Sequence, residues 1–97
     1  MIVGLLTINI HLHGIGSLKE KRRIVKSLIG RLKAKFNFSV SEVAAQDSKQ
    51  LAVIGLAVVS NDGAFVNSQL DTVINFVRQD GRFYLGQIDR EIFSSSN

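Results

Sequence analysis

Along the first residues of the chain, apolar and polar side chains alternate. Ile2, Leu6, Ile8, Ile10 and Leu12 take the even positions, and Thr7, Asn9, His11 and His13 fall on the odd ones. A period of two is that of a half-buried strand, whose polar end here leads into a loop. From Leu18 to Phe36 the period changes: Leu18, Val25, Leu28, Ile29, Leu32 and Phe36 recur at steps of three and four, the apolar stripe of one amphipathic helix. Ser17 and Glu20 supply an S-x-x-E capping box at its start. Phe38 to Gln46 reads as a short strand, Asp47 to Lys49 as a turn, and LAVIGLAVVS (51–60) as a nearly continuous apolar run that belongs in the middle of a sheet. Asn61, Asp62 and Gly63 open a second helix with the stripe Val66, Leu70, Val73 and Val77. Asp80 and Gly81 end it before a last strand over 82–93, and residues 94–97 are expected as a loose tail.

The element order is therefore β-α-β-β-α-β. Its economical solution is a ferredoxin-like α+β sandwich, a four-stranded antiparallel sheet with both helices on one face. In that topology the first and third strands are central, which agrees with their being the most apolar. Two long helices exclude an SH3-like barrel. The chain of 97 residues predicts a single domain over 1–93. With 45% hydrophobic residues and no cysteine, its core is held by packing, without disulfides or thiolate-bound zinc, as suits a reducing cytoplasm. The opening MIVGLLTINIHL is too short to span a bilayer, has no basic region ahead of it and is broken by Thr7 and Asn9. The expectation is a cytoplasmic protein that does not engage membranes.

Helices on one face leave the other face of the sheet open. The third strand is apolar on both sides, with Ile54, Leu56 and Val58 on one and Leu51, Val53, Ala57 and Val59 on the other. Together with Val3 and Leu5 these residues predict an apolar open face and a homo-oligomer interface, the alternative being cover from the chain's own loops and tail. RNA-recognition motifs share this fold and stack bases on aromatic residues of the two central strands. Neither central segment here holds a phenylalanine, tyrosine or tryptophan; the phenylalanines and Tyr84 lie elsewhere.

Charge is concentrated in one segment of the chain. Between Ser17 and Phe36 eight basic residues face one acidic residue, a local balance of +7, whereas four basic and seven acidic residues elsewhere give −3. At about 100° per residue, Lys19, Arg22, Arg23, Lys26 and Lys33 gather on one flank of the helix, where they repel one another unless an anion neutralises them. The preceding loop, with Gly14, Gly16 and Ser17 running into the first N–H groups of the helix and Lys19, Lys21 and Arg22 close by, would suit a phosphate. Neither nucleotide-binding motif is present: the third glycine of a dinucleotide fingerprint falls at Lys19, and no G-x-x-x-x-G-K-[ST] occurs. His11 and His13 share one side of a strand, but a third ligand would have to come from afar, so neither a metal nor any cofactor is expected. Ser17 or Ser60 with His11 and Asp62 has no spacing that would align a catalytic triad.

The run Ser17-Leu18-Lys19-Glu20-Lys21-Arg22, set between an apolar first strand with an H-x-x-G exit and a basic helix, resembles the signature of the YlxP-like family of small bacterial proteins. VAAQD before the hairpin and the Leu70-Asp71-x-Val73 stretch extend the likeness over essentially the whole chain. The resemblance implies a ferredoxin-like fold and a bacterial cytoplasmic protein whose gene commonly lies among those for transcription and translation factors, including a ribosome-maturation factor. It implies no enzymatic activity and transfers no catalytic residue. Acylphosphatases are another small ferredoxin-like class, which binds phosphate on the loop after the first strand through a loop arginine, with an asparagine on a neighbouring strand. This chain lacks their G-x-V-x-F-R pattern, FSVSEVAAQ (38–46) has no asparagine, and Arg22 is the nearest substitute. The reading is thus a non-enzymatic protein that binds RNA or a ribosomal particle through its basic first helix. The alternatives are a phosphate-binding enzyme using Gly14–Arg22 and a purely structural oligomer or protein-interaction module.

Overall fold

The alternating segment at the start forms β1 (Ile2–Leu12), and the two stripes of period 3.6 form α1 (Leu18–Lys35) and α2 (Gly63–Arg78). Between and after them lie β2 (Ser39–Ala44), β3 (Leu51–Ser60) and β4 (Phe83–Ser94). The computed structural model describes residues 1–96. The sheet order is β2-β3-β1-β4 and every neighbouring pair is antiparallel, so β1 and β3 are central and the fold is ferredoxin-like. Leu6, Ile8 and Ile10 of β1 and Ala52, Ile54 and Leu56 of β3 all point to one side. There they meet Val25, Leu28 and Leu32 of α1 and Val66, Leu70 and Val73 of α2. Burying each of the larger side chains contributes about 1.5–3 kcal/mol, which is what holds both helices on that face.

Both helices start on side-chain caps. Ser17 Oγ accepts from the Glu20 N–H at 3.1 Å, and Asp62 Oδ1 accepts from Ala64 and Phe65 N–H at 3.0 and 3.3 Å. β2 is shorter than the expected 38–46 because Ala45 takes φ 63° and its carbonyl accepts from the Ser48 N–H, closing a turn. The register shifts between Glu42 and Ala44, leaving Val43 as the extra residue of a bulge. Its side chain lies over Gly55, where a Cβ would come within 2.7 Å of Val43 Cγ1. A second irregularity lies between Ile8 and Ile10 of β1, opposite Gly86 and Gln87, and a Cβ on Gly86 would run into the His11 imidazole.

Ser94 and Ser95, expected in a loose tail, are held in place. Ser94 pairs with Ile2 in the sheet, the Ser95 N–H donates to the Met1 carbonyl at 2.8 Å, and the Met1 ammonium donates to the Ser95 carbonyl at 3.1 Å. β4 runs the full length of β1, so its backbone groups find partners to the end; Asn97 lies outside the described residues. Among the described residues no helix is long and apolar enough to cross a membrane.

Candidate nucleic-acid interface

The loop before α1 closes on itself. Gly14 takes φ 61°, the left-handed conformation that glycine adopts without penalty. The Glu20 carboxylate accepts from the Gly16 N–H at 3.2 Å while the Glu20 N–H reaches back to Ser17. Of the N–H groups expected to meet a phosphate on Gly14, Gly16 and Ser17, that of Gly16 is already taken by a carboxylate, and this stretch serves as the cap of α1.

Lys21 also departs from expectation. Its side chain is fully buried, and the ammonium donates to the Ala45 carbonyl at 2.6 Å and pairs with Glu42 Oε2 at 3.1 Å. The reason is angular: Lys21 sits one turn before Val25 and two before Leu28, on the stripe that faces the sheet. A cation there reaches the end of β2, not an external anion.

Three of the eight basic residues of α1 therefore have partners inside the molecule. Besides Lys21, Arg31 pairs with Asp80 at 2.9 Å and lies 5.2 Å from the centre of the Phe76 ring, and Lys35 lies 5.0 Å from the same ring. The remaining five, Lys19, Arg22, Arg23, Lys26 and Lys33, are exposed, and among the described residues none of them has an ion-pair partner. The structure thus brings together the five residues that the helical spacing placed on one flank. From Lys19 to Lys33 the row extends about 21 Å at 1.5 Å per residue. Lys19–Arg22, Lys19–Arg23, Arg22–Lys26 and Arg23–Lys26 are three or four positions apart, and each like-charge pair of this kind costs about 0.2–0.5 kcal/mol. Lys19 also stands in the first turn of α1, where the helix dipole disfavours positive charge.

On the far side of the sheet His11 stacks on Tyr84 with ring centres 4.9 Å apart, and His13 lies tilted against the same ring at 4.8 Å. Spacing in the sequence pairs the two histidines but gives no sign of Tyr84, since the β4 register that puts it opposite His11 depends on the irregularity at Gly86. Among the described residues no group of three His, Cys, Asp or Glu is placed to hold a metal ion. Val3, Leu5, Leu51, Val53 and Ala57 lie on this helix-free face; Leu5 is exposed and the others half-buried.

A family model, "Protein of unknown function (DUF503)", matches residues 3–90. The uncharacterized protein YlxP of Bacillus subtilis (strain 168) is 38% identical over 66 residues, 68% of this chain and 72% of that one. Among solved structures, the de novo designed protein Foldit4 matches over 98% of both chains with a TM-score of 0.54 at 11% identity. The cofactor-independent oxygenase SnoaB from Streptomyces nogalater matches over 99% of this chain and 94% of its own, with a TM-score of 0.48 at 13% identity. The likeness to Foldit4 shows the fold alone. The reach of the family model and the identity to YlxP together place the chain: it belongs to the DUF503 family of proteins of unknown function.

Proposed function

We propose that the protein binds RNA, free or within a ribosomal particle, through the outward flank of α1. The observation that supports this reading is the row Lys19, Arg22, Arg23, Lys26 and Lys33, exposed and without a carboxylate partner among the described residues, its first four members repelling one another at helical spacing. Such a row lowers the stability of its own helix. A polyanion removes that cost and gains from the release of condensed counterions. Contacts of lysine and arginine to phosphates position a nucleic acid without reading its sequence, so recognition is of backbone and charge. An acylphosphatase-like enzyme is disfavoured because the Glu20 carboxylate already takes the loop N–H of Gly16 and Arg22 is turned to solvent.

Pull-down from a bacterial lysate tests this. Immobilised protein is expected to retain RNA at low salt, to lose its co-purifying material on ribonuclease treatment, and to retain much less when Arg23→Ala and Lys26→Ala are combined. Retention of no RNA, or equal retention by the double variant, contradicts the reading.

A further inference from the structure

The helix-free face of the sheet is organised in rows by its register. Ser41 of β2, Gly55 of β3, Thr7 of β1 and Asp89 of β4 lie side by side, and the next row holds Ser39, Ala57, Leu5 and Glu91. Each row runs from small residues on β2 and β3 to taller ones on β1 and a carboxylate on β4. The small residues leave a groove of about 310 Å³ walled by Leu5, Thr7 and Val43. A third row, Val59, Val3 and Phe93, is wholly apolar, and Val59 and Phe93 are 61% and 42% exposed. The one Lys or Arg within the strands, Arg90, is turned to the helix side and bonds Asn67 and Asp71 of α2. This face therefore presents apolar ridges, an apolar groove, hydroxyls along one edge and carboxylates along the other.

We propose that this face closes on a second copy of the chain, about a two-fold axis that lies between the sheets and runs along the strands. Such an axis keeps each row opposite itself and exchanges β1 with β3 and β4 with β2. Leu5 then stands over Ala57 of the second copy and Thr7 over Gly55, tall residues entering the groove left by short ones. Asp89 and Glu91 come over Ser41 and Ser39 of the second copy, whose hydroxyls donate to the carboxylates. An axis across the strands would instead lay β4 on β4 and set the carboxylates of the two copies against each other. Strands of 10 to 12 residues with one of 6 cover about 600 Å² in projection at ~3.3 Å per residue and ~4.8 Å between strands. A corrugated face has more accessible area than its projection, so the match to the ~800 Å² per partner of a standard interface is close. Sheets packed at a small angle, as aligned sheets are, keep the central rows in register.

Light scattering or sedimentation of the full chain near 100 µM decides the matter, a concentration at which a dimer with a dissociation constant of about 10 µM is largely formed. The wild type is expected to be a dimer. Ser41→Lys, facing Asp89 of the other copy, should tighten it, and Ser41→Asp should weaken it roughly tenfold, with Asp89→Lys restoring association in the Ser41→Asp background. These positions are on the exposed side of the sheet, so circular dichroism should stay that of the wild type. A wild-type monomer overturns the proposal. So does a dimer that Ser41→Lys and Ser41→Asp weaken alike, as an axis across the strands requires, or one that neither substitution changes.

Discussion

Lys21 places a charge where its neighbours would otherwise demand an apolar side chain. Its ammonium is kept by one carbonyl, that of Ala45, and one carboxylate, that of Glu42, whose Oε2 is itself buried and accepts no well-formed hydrogen bond. Taking away one member of such a pair leaves the other uncompensated, and Lys21→Ala should therefore destabilise the fold by about 3 kcal/mol. Combining Lys21→Met with Glu42→Leu should recover most of that loss, because two apolar groups of similar volume need no partner. Urea unfolding of the three proteins checks both statements, and a loss under 0.5 kcal/mol for Lys21→Ala, the range of surface substitutions, contradicts them. The position of Lys21 was legible in the sequence, since residue 21 precedes Val25 by one turn. Its fate was not, because the partners come from a left-handed turn at Ala45 and a bulge at Val43 that no local pattern announces.

Between elements, the molecule relies on Asp80, which follows α2 and precedes β4. Its carboxylate accepts from the Arg82 side chain at 2.7 and 3.0 Å, from the Arg82 N–H at 2.9 Å, and from Arg31 of α1 at 2.9 Å, so one buried group ties α1 to the turn between α2 and β4. The Arg82 side chain above all, with Arg31 adding to it, holds the carboxyl well below the ordinary carboxylate value of 3.8 against the opposing effect of burial. A depressed value means that Asp80 contributes its full stability above about pH 4 and loses it progressively as the pH falls further. Asp80→Asn should lower stability at pH 7 by about 1.5–3 kcal/mol, the worth of a hydrogen bond to a charged group, and should flatten the acid limb of the stability profile. Denaturation from pH 7 to pH 2 shows this; a variant that loses stability to acid as steeply as the wild type contradicts it. At this scale the elements themselves were readable, since periods of two and of 3.6, a serine cap and an aspartate cap mark their ends. The strand ends were less so, because pairing partners set them: β4 runs past 93 to follow β1, and β2 stops early at its turn.

For the whole molecule, the decisive property is the separation of its surfaces. The basic row of α1 and the face proposed to pair lie on opposite sides of the sheet, so a dimer presents two basic rows outward. Substitutions at Ser41 and at Arg23 with Lys26 should act independently. The row itself was readable from the helical angle alone, but that Lys21, Arg31 and Lys35 are drawn off to internal partners required the tertiary contacts. The most direct test of RNA binding is fluorescence anisotropy with a labelled single-stranded RNA at several salt concentrations. With four or so phosphates engaged, log affinity against log salt should slope at about −3, from roughly −0.7 per phosphate. Arg23→Ala with Lys26→Ala should flatten that slope by about 1.4 while leaving the fold intact. Absence of binding at low salt, or a slope that the double substitution leaves unchanged, would contradict the assignment of α1 as an RNA-binding surface.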